Sequence, residues 1–149
     1  MFKKILVAVD GSQHALRAVE IASDLAEKYG AELTLLAVYK SIRMQESTHS
    51  LVRTRKSVEP QITDGELKQA AQEVADEAAA IARDHDIPKV DVVVKHGQPA
   101  RTIAKVAEDQ GADAIVLGSR GLGDVSGLLL GSVSHKVASL AKCSVITVK

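Results

Sequence analysis

Apolar residues fall along the chain in two alternating patterns. Short continuous runs at Ile5–Val9, Leu33–Val38, Val90–Val94, Ala114–Leu117 and Val145–Val148 are rich in Val, Ile and Leu and lack polar alternation. Runs of this kind predict strands buried on both faces, as in a parallel sheet. Between them apolar positions recur at helical spacing. Ala15, Ala18, Val19, Ala22, Leu25 and Tyr29 form one face, and Leu67, Ala70, Ala71, Val74, Ala78 and Ile81 a second. Ile103, Val106 and Ala107 mark a third, shorter helix, and Val133, Val137 and Leu140 a fourth. The resulting order, β-α-β-α-β-α-β-α-β, predicts a doubly wound α/β domain over residues 1–149.

Residues at the element ends agree with this order. Ser12 is placed to N-cap the first helix, Gly30 to close it, and Pro99 to occupy a first helical turn. Lys40–Gln61 breaks the pattern and predicts a mobile loop. Its Lys40, Arg43, Arg53, Arg55 and Lys56 outnumber Glu46 and Glu59. Such a segment is either a solvated surface or a basic flap for an anionic ligand or a partner.

Composition narrows the classes of function. With 149 residues and 46% hydrophobic content, the chain suits one domain with a substantial core. Nineteen basic residues against nineteen acidic ones give no net charge, so the electrostatic footprint of a nucleic-acid binder is missing. The single Cys143 allows no intrachain disulfide and no zinc site built from several thiolates, which points to a reducing, cytoplasmic setting. Ile5–Val9 is too short for a signal sequence, and no run approaches the length of a membrane span.

The most informative chemistry lies near the C-terminus. Gly118-Ser119-Arg120-Gly121 is followed, after nine intervening residues, by Gly131-Ser132; the stretch comes after a strand candidate and before a helix candidate. Glycines in a strand-loop-helix context let main-chain amides approach an anion, and the positive end of the following helix adds to the attraction. Gly118 and Gly121 would supply positive φ angles and close backbone approach, while Gly131 and Ser132 would supply amides and a hydroxyl. In an open α/β sheet, ligands bind beyond the carboxyl ends of the strands where strand order reverses. If the first and fourth strands are neighbours, Asp10 and Gly118 therefore face one crevice. Asp10 can hold a divalent metal between phosphates or meet a ribose hydroxyl; equally, it can be the turn residue of Asp-Gly.

No Walker A string occurs, nor a Gly-x-Gly-x-x-Gly after the first strand. Without a Walker lysine or a water-positioning group the site is better equipped to hold phosphates than to transfer them. Elsewhere, His96 ends the third strand, either approaching the ligand region or, more commonly for a lone histidine there, serving as a surface or hydrogen-bonding residue, and His14, His49, His85 and His135 show no metal-site spacing. Cys143 has no base partner nearby in sequence, so no catalytic residue is assigned. Leu128, Leu129 and Leu130 inside the glycine loop call for a cover, best supplied by the core.

Val7-Ala8-Val9-Asp10-Gly11-Ser12, Gly97-x-Pro99 and Gly118-x-x-Gly121-x9-Gly131-Ser132 together resemble the ATP-binding branch of the universal stress protein family, across nearly the whole chain. The resemblance implies a Rossmann-like sheet of order 3-2-1-4-5, bound ATP with Mg, and a homodimer paired through the last strand. It implies that Asp10 lies near phosphates and metal and that Val38 meets adenine through its main chain. Gly118, Gly121, Gly131 and Ser132 would hold ribose and phosphates, with Ser119, Arg120, Val133 and Ser134 contributing backbone contacts around them. It further implies a nucleotide-dependent sensor that binds a partner such as a transporter or an enzyme. A slow Mg-dependent ATP hydrolase and a structural homodimer without nucleotide are the other readings. The chain departs from the family pattern at Ala8, where many members have proline, and at Cys143-Ser144, where Cys-Pro is frequent. The second change restores an N–H at Ser144 and bears on pairing at the edge of the last strand.

Overall fold

The computed structural model describes residues 1–41, 62–122 and 130–149. Five strands, β1 (Lys4–Val9), β2 (Glu32–Tyr39), β3 (Val90–His96), β4 (Ala114–Gly118) and β5 (Ser144–Val148), form one parallel sheet of order β3-β2-β1-β4-β5. Helices α1 (Gln13–Tyr29), α2 (Asp64–Ala82), α3 (Pro99–Gln110) and α4 (Ser132–Leu140) connect them. This is the Rossmann-like α/β architecture expected, and each strand lies within two residues of its apolar run. The expected loop at 40–61 and Leu128 and Leu129 fall largely outside the described residues.

Two cores flank the sheet, and the strands feed both. Ile5, Val7 and Val9 of β1, with Leu33, Leu35 and Val116, pack against α1 and α2. Leu6, Leu36, Ile115 and Leu117 pack against α3 and α4. Successive side chains of a strand point to opposite faces, so a strand covered on both sides needs apolar residues throughout. That requirement holds only in the middle of the sheet. The edge strands β3 and β5 are half-buried at most positions, and Ser144 and Thr147 are exposed, so the expectation of burial on both faces is corrected for these two.

The helix faces are also adjusted. On α2 the buried positions are Ala75, Ala78, Ala79 and Ala82, whereas Ala70 is exposed. Small residues there let the helix sit close to the sheet. Tyr29 is 40% exposed and stacks edge-on against Phe2, and Leu140 is 48% exposed. Neither is a core residue, because both lie at helix ends beyond the sheet's cover.

Caps explain where the helices begin and end. Ser12 Oγ accepts the Ala15 N–H at 3.2 Å, and Gly30 closes α1 in the left-handed region at φ 64°. Thr63 and Glu66 form a reciprocal capping box on α2. Pro99 opens α3. Ser144, which stands where proline is frequent, donates its N–H inward to the Asp113 carbonyl at 3.3 Å. The restored amide is therefore used between β4 and β5 and does not face the outer edge.

Asp113 clamps the opposite end of the central strands. Its Oδ2 accepts the N–H groups of Lys3 and Lys4 at 2.6 and 2.8 Å, which ties the start of β1 to the start of β4. The Lys3 and then the Lys4 backbone bond hold the carboxyl below its ordinary value of 3.8. A depressed folded-state value stabilises the protein above the unfolded value, and that stabilisation is lost as pH falls through the folded one. Asp113→Ala is expected to cost about 1.5 kcal/mol, the low end for bonds to a charged group because the site is solvent-exposed. Thermal melts at pH 7 and pH 3 check this: the gap between wild type and variant narrows at the lower pH.

Candidate functional site

The strand order reverses between β1 and β4. The chain leaving β1 turns to α1 on one face, while the chain leaving β4 reaches α4 on the other, and a crevice opens between their carboxyl ends. Ala8 pairs with Leu117 in register, so Asp10 and Gly118 do lie at one opening. A cavity of about 700 Å³ occupies it.

The cavity has an apolar wall and a polar rim. Ala8, Leu36, Val38, Ile103 and Leu117 line it from β1, β2, α3 and β4, with Pro99 at the start of α3. Asp10, Ser12, Lys40, Arg120, Gly121, Ser132, Val133 and Ser134 also line it. Eight of the ten residues singled out in the sequence thus reach the cavity: Asp10, Val38, Gly118, Arg120, Gly121, Ser132, Val133 and Ser134. Ser119 and Gly131 do not line it; both are buried behind it.

Local geometry shows what each residue does there. Asp10 Oδ1 accepts the Ser12 N–H at 2.9 Å, an Asx turn that carries Gly11 at φ 83° into α1. The turn role of Asp10 is therefore real, and its carboxylate still borders the cavity. Gly118 is not needed for a positive φ angle, contrary to expectation, since it ends β4 in extended conformation. It is needed for space: a Cβ there would lie 2.7 Å from His14 Cβ and 2.9 Å from the Ala15 nitrogen. The first turn of α1 rests directly on its Cα.

The loop's two halves are joined through Ser119. Its carbonyl accepts the Gly131 N–H at 2.6 Å and lies 2.9 Å from Ser134 Oγ, which is also 3.0 Å from the Gly131 carbonyl. The Gly131 amide and the Ser134 hydroxyl are thus spent inside the protein. Gly131 is the N-cap of α4 and no side chain caps that helix. The amides of Ser132 and Val133 have no acceptor within the helix, and both residues border the cavity. An anion seated there would meet main-chain donors at the positive end of the helix dipole.

Several lining residues had no signal as site residues in the sequence. Leu36 and Leu117 sit in uninterrupted apolar runs, where nothing reveals which residue ends up beside a cavity. Lys40 was legible only as part of a basic segment. His14 bonds Ser119 across 105 positions of sequence, a pairing that no local pattern announces. His96 lies beside Tyr39, with ring centres 6.3 Å apart, and is not a lining residue. Among the described residues, Asp24, Glu27 and His85 form the one group with metal-compatible spacing; none of them lines the cavity, and His85 instead bonds Glu27 Oε2 at 3.2 Å.

Comparison with known proteins gives a consistent result. Residues 1–149 match the universal stress protein family. A universal stress protein of Thermus aquaticus, encoded in the QAH/OAS sulfhydrylase 3' region, is 36% identical, with both chains covered in full. Among solved structures, hypothetical protein MJ0577 superposes with a TM-score of 0.76 at 30% identity, covering 100% of this chain and 96% of that one. A universal stress protein in complex with cAMP superposes with a TM-score of 0.73 at 25% identity, covering 99% and 97%.

Proposed function

Because the chain belongs to the universal stress protein family, we propose that the crevice between β1 and β4 binds a nucleotide, ATP with Mg, and that the protein acts as a nucleotide-dependent regulatory module. The observation that carries this reading is the conjunction in one cavity of an apolar slot and the uncapped N-terminus of α4. A purine needs a flat apolar slot with a few main-chain partners, and Leu36, Val38, Ile103 and Leu117 supply the apolar part. Phosphates need oriented donors, and the amides of Ser132 and Val133 supply them. A relative solved with cAMP, an adenine nucleotide, supports the base class.

The proposed roles follow the placement of the residues. Val38 meets the base through its main chain. Arg120, Gly121, Ser132 and Val133 surround ribose and phosphates. Asp10 faces the phosphates and would hold Mg through its carboxylate, which supplies charge neutralisation when the ion is bound. Gly118 and Ser134 in the cavity wall, with Ser119 and Gly131 buried outside it, shape the loop. Lys40 adds a cation at the rim, a role that the sequence suggested only for its whole segment.

Holding is favoured over turnover. Asp10 is the one acidic side chain among the described lining residues, and one of its oxygens accepts the Ser12 N–H. A nucleotide held without rapid hydrolysis suits a sensor that reports its state to a partner such as a transporter or an enzyme. The same reading includes a homodimer through β5, which is an edge strand of the sheet among the described residues. It also includes a single nucleotide-binding unit in the cytoplasm. Among the described residues no helix is long and apolar enough to cross a membrane.

Isothermal titration with ATP, with ATP and Mg, and with cAMP tests the reading. One site per chain is expected, tightest for ATP with Mg. No heat with any of the three would remove the nucleotide reading, and sustained phosphate release would move the output from sensing to hydrolysis.

A further inference from the structure

Ser119 lies where β4, β5 and α4 meet. Its N–H donates to the Val148 carbonyl of β5 at 2.7 Å, and its own carbonyl receives the Gly131 N–H. The residue is 1% exposed, so its hydroxyl needs a partner inside the protein. That partner is Nδ1 of His14, 3.0 Å away in the first turn of α1. The same histidine backs the end of β4, where its Cβ would stand 2.7 Å from any Cβ added to Gly118.

We infer that His14 is a positioning residue for the nucleotide site, acting through its hydrogen bond to Ser119. The inference rests on the nucleotide reading above and adds to it a residue outside the cavity wall. Each element that His14 links carries part of that wall: Asp10 and Ser12 precede α1, Arg120 and Gly121 follow Ser119, and Ser132 and Val133 follow Gly131. The bond fixes the rotation of Ser119, and Ser119 in turn holds the start of α4 against the strand ends. Without it the carbonyl that receives the Gly131 amide loses its lateral support, and the donors at the helix start are no longer preorganised for phosphate.

The test compares wild type with His14→Ala, Ser119→Ala, the double variant and His14→Asn, whose side-chain amide lies near the position of the imidazole Nδ1. ATP with Mg is titrated, and exchange of the Gly131 amide is followed by NMR. Each single alanine variant is expected to weaken ATP binding about fivefold, the worth of one net hydrogen bond, and to speed Gly131 exchange. The double variant should be no weaker than either single one, and asparagine should restore both readouts. Wild-type affinity in both alanine variants overturns the inference and leaves the nucleotide reading intact. Additive losses that asparagine does not rescue also overturn it, because they mark general packing. If wild type itself binds no ATP, reading and inference fall together. Should His14→Ala fail to fold, Ser119→Ala and His14→Asn carry the comparison.

Discussion

Gly118→Ala is expected to destabilise the protein by about 2–3 kcal/mol, the upper range for overpacking a tight contact. The added methyl would meet His14 Cβ at 2.7 Å and the Ala15 nitrogen at 2.9 Å. Two of the three nearest atoms are backbone, so no side chain can rotate aside; α1 itself must move away from β4. In a domain of this length such a loss lowers Tm by roughly 5–10 °C. Denaturant unfolding and thermal melts measure it, and a variant as stable as wild type would show that α1 does not rest on Gly118. The consequence for function is practical. A Gly118 variant that loses nucleotide binding has also lost the packing that builds the crevice, so it is a poor probe of phosphate contact.

Ser132 is the better probe, and Ser132→Glu has the second large effect. Ser132 is exposed, lies in the first turn of α4 and borders the cavity. A carboxylate there interacts favourably with the helix dipole, so stability should hold or rise slightly. For the same reason it competes with phosphate for the same donors. ATP affinity should fall by about ten- to a hundredfold, equivalent to losing charge-assisted bonds of roughly 1.5–3 kcal/mol. Ser132→Gln, similar in size and neutral, should keep most of the affinity. Equal binding by the glutamate variant and wild type, measured by titration, would show that phosphates do not approach the start of α4.

The contrast between Gly118 and Ser132 shows how far the sequence could be read. The alternation of apolar runs and helical faces was enough for a parallel sheet covered by helices, because strands that are apolar throughout need cover on both faces; the strand order came from the family resemblance. It failed at the sheet's edges, where β3 and β5 carry the same apolar composition but are only half-buried at most positions. On α2 the face was right except at Ala70, because alanine, equally at home inside and outside, carries little directional signal. In the site, the glycines marked the loop but not their reasons. Gly118 serves packing and Gly131 a backbone bond, and neither can be distinguished from phosphate contact by spacing alone. Apart from Val38, the apolar wall was not legible, nor was the His14–Ser119 bond, since both depend on residues brought together from distant parts of the chain.

The central claim is that the nucleotide lies in the crevice between β1 and β4, with its phosphates at the start of α4. Amide chemical shifts of 15N-labelled protein, recorded as ATP and Mg are added, locate the ligand directly. The account predicts the largest changes at Ser132 and Val133, at Gly11 and Ser12, and at Val38 and Lys40, with little change around the Asp113 clamp at the opposite ends of the strands. Changes concentrated around Lys4, Glu32 and Asp113, with Ser132 and Val133 unmoved, would contradict it.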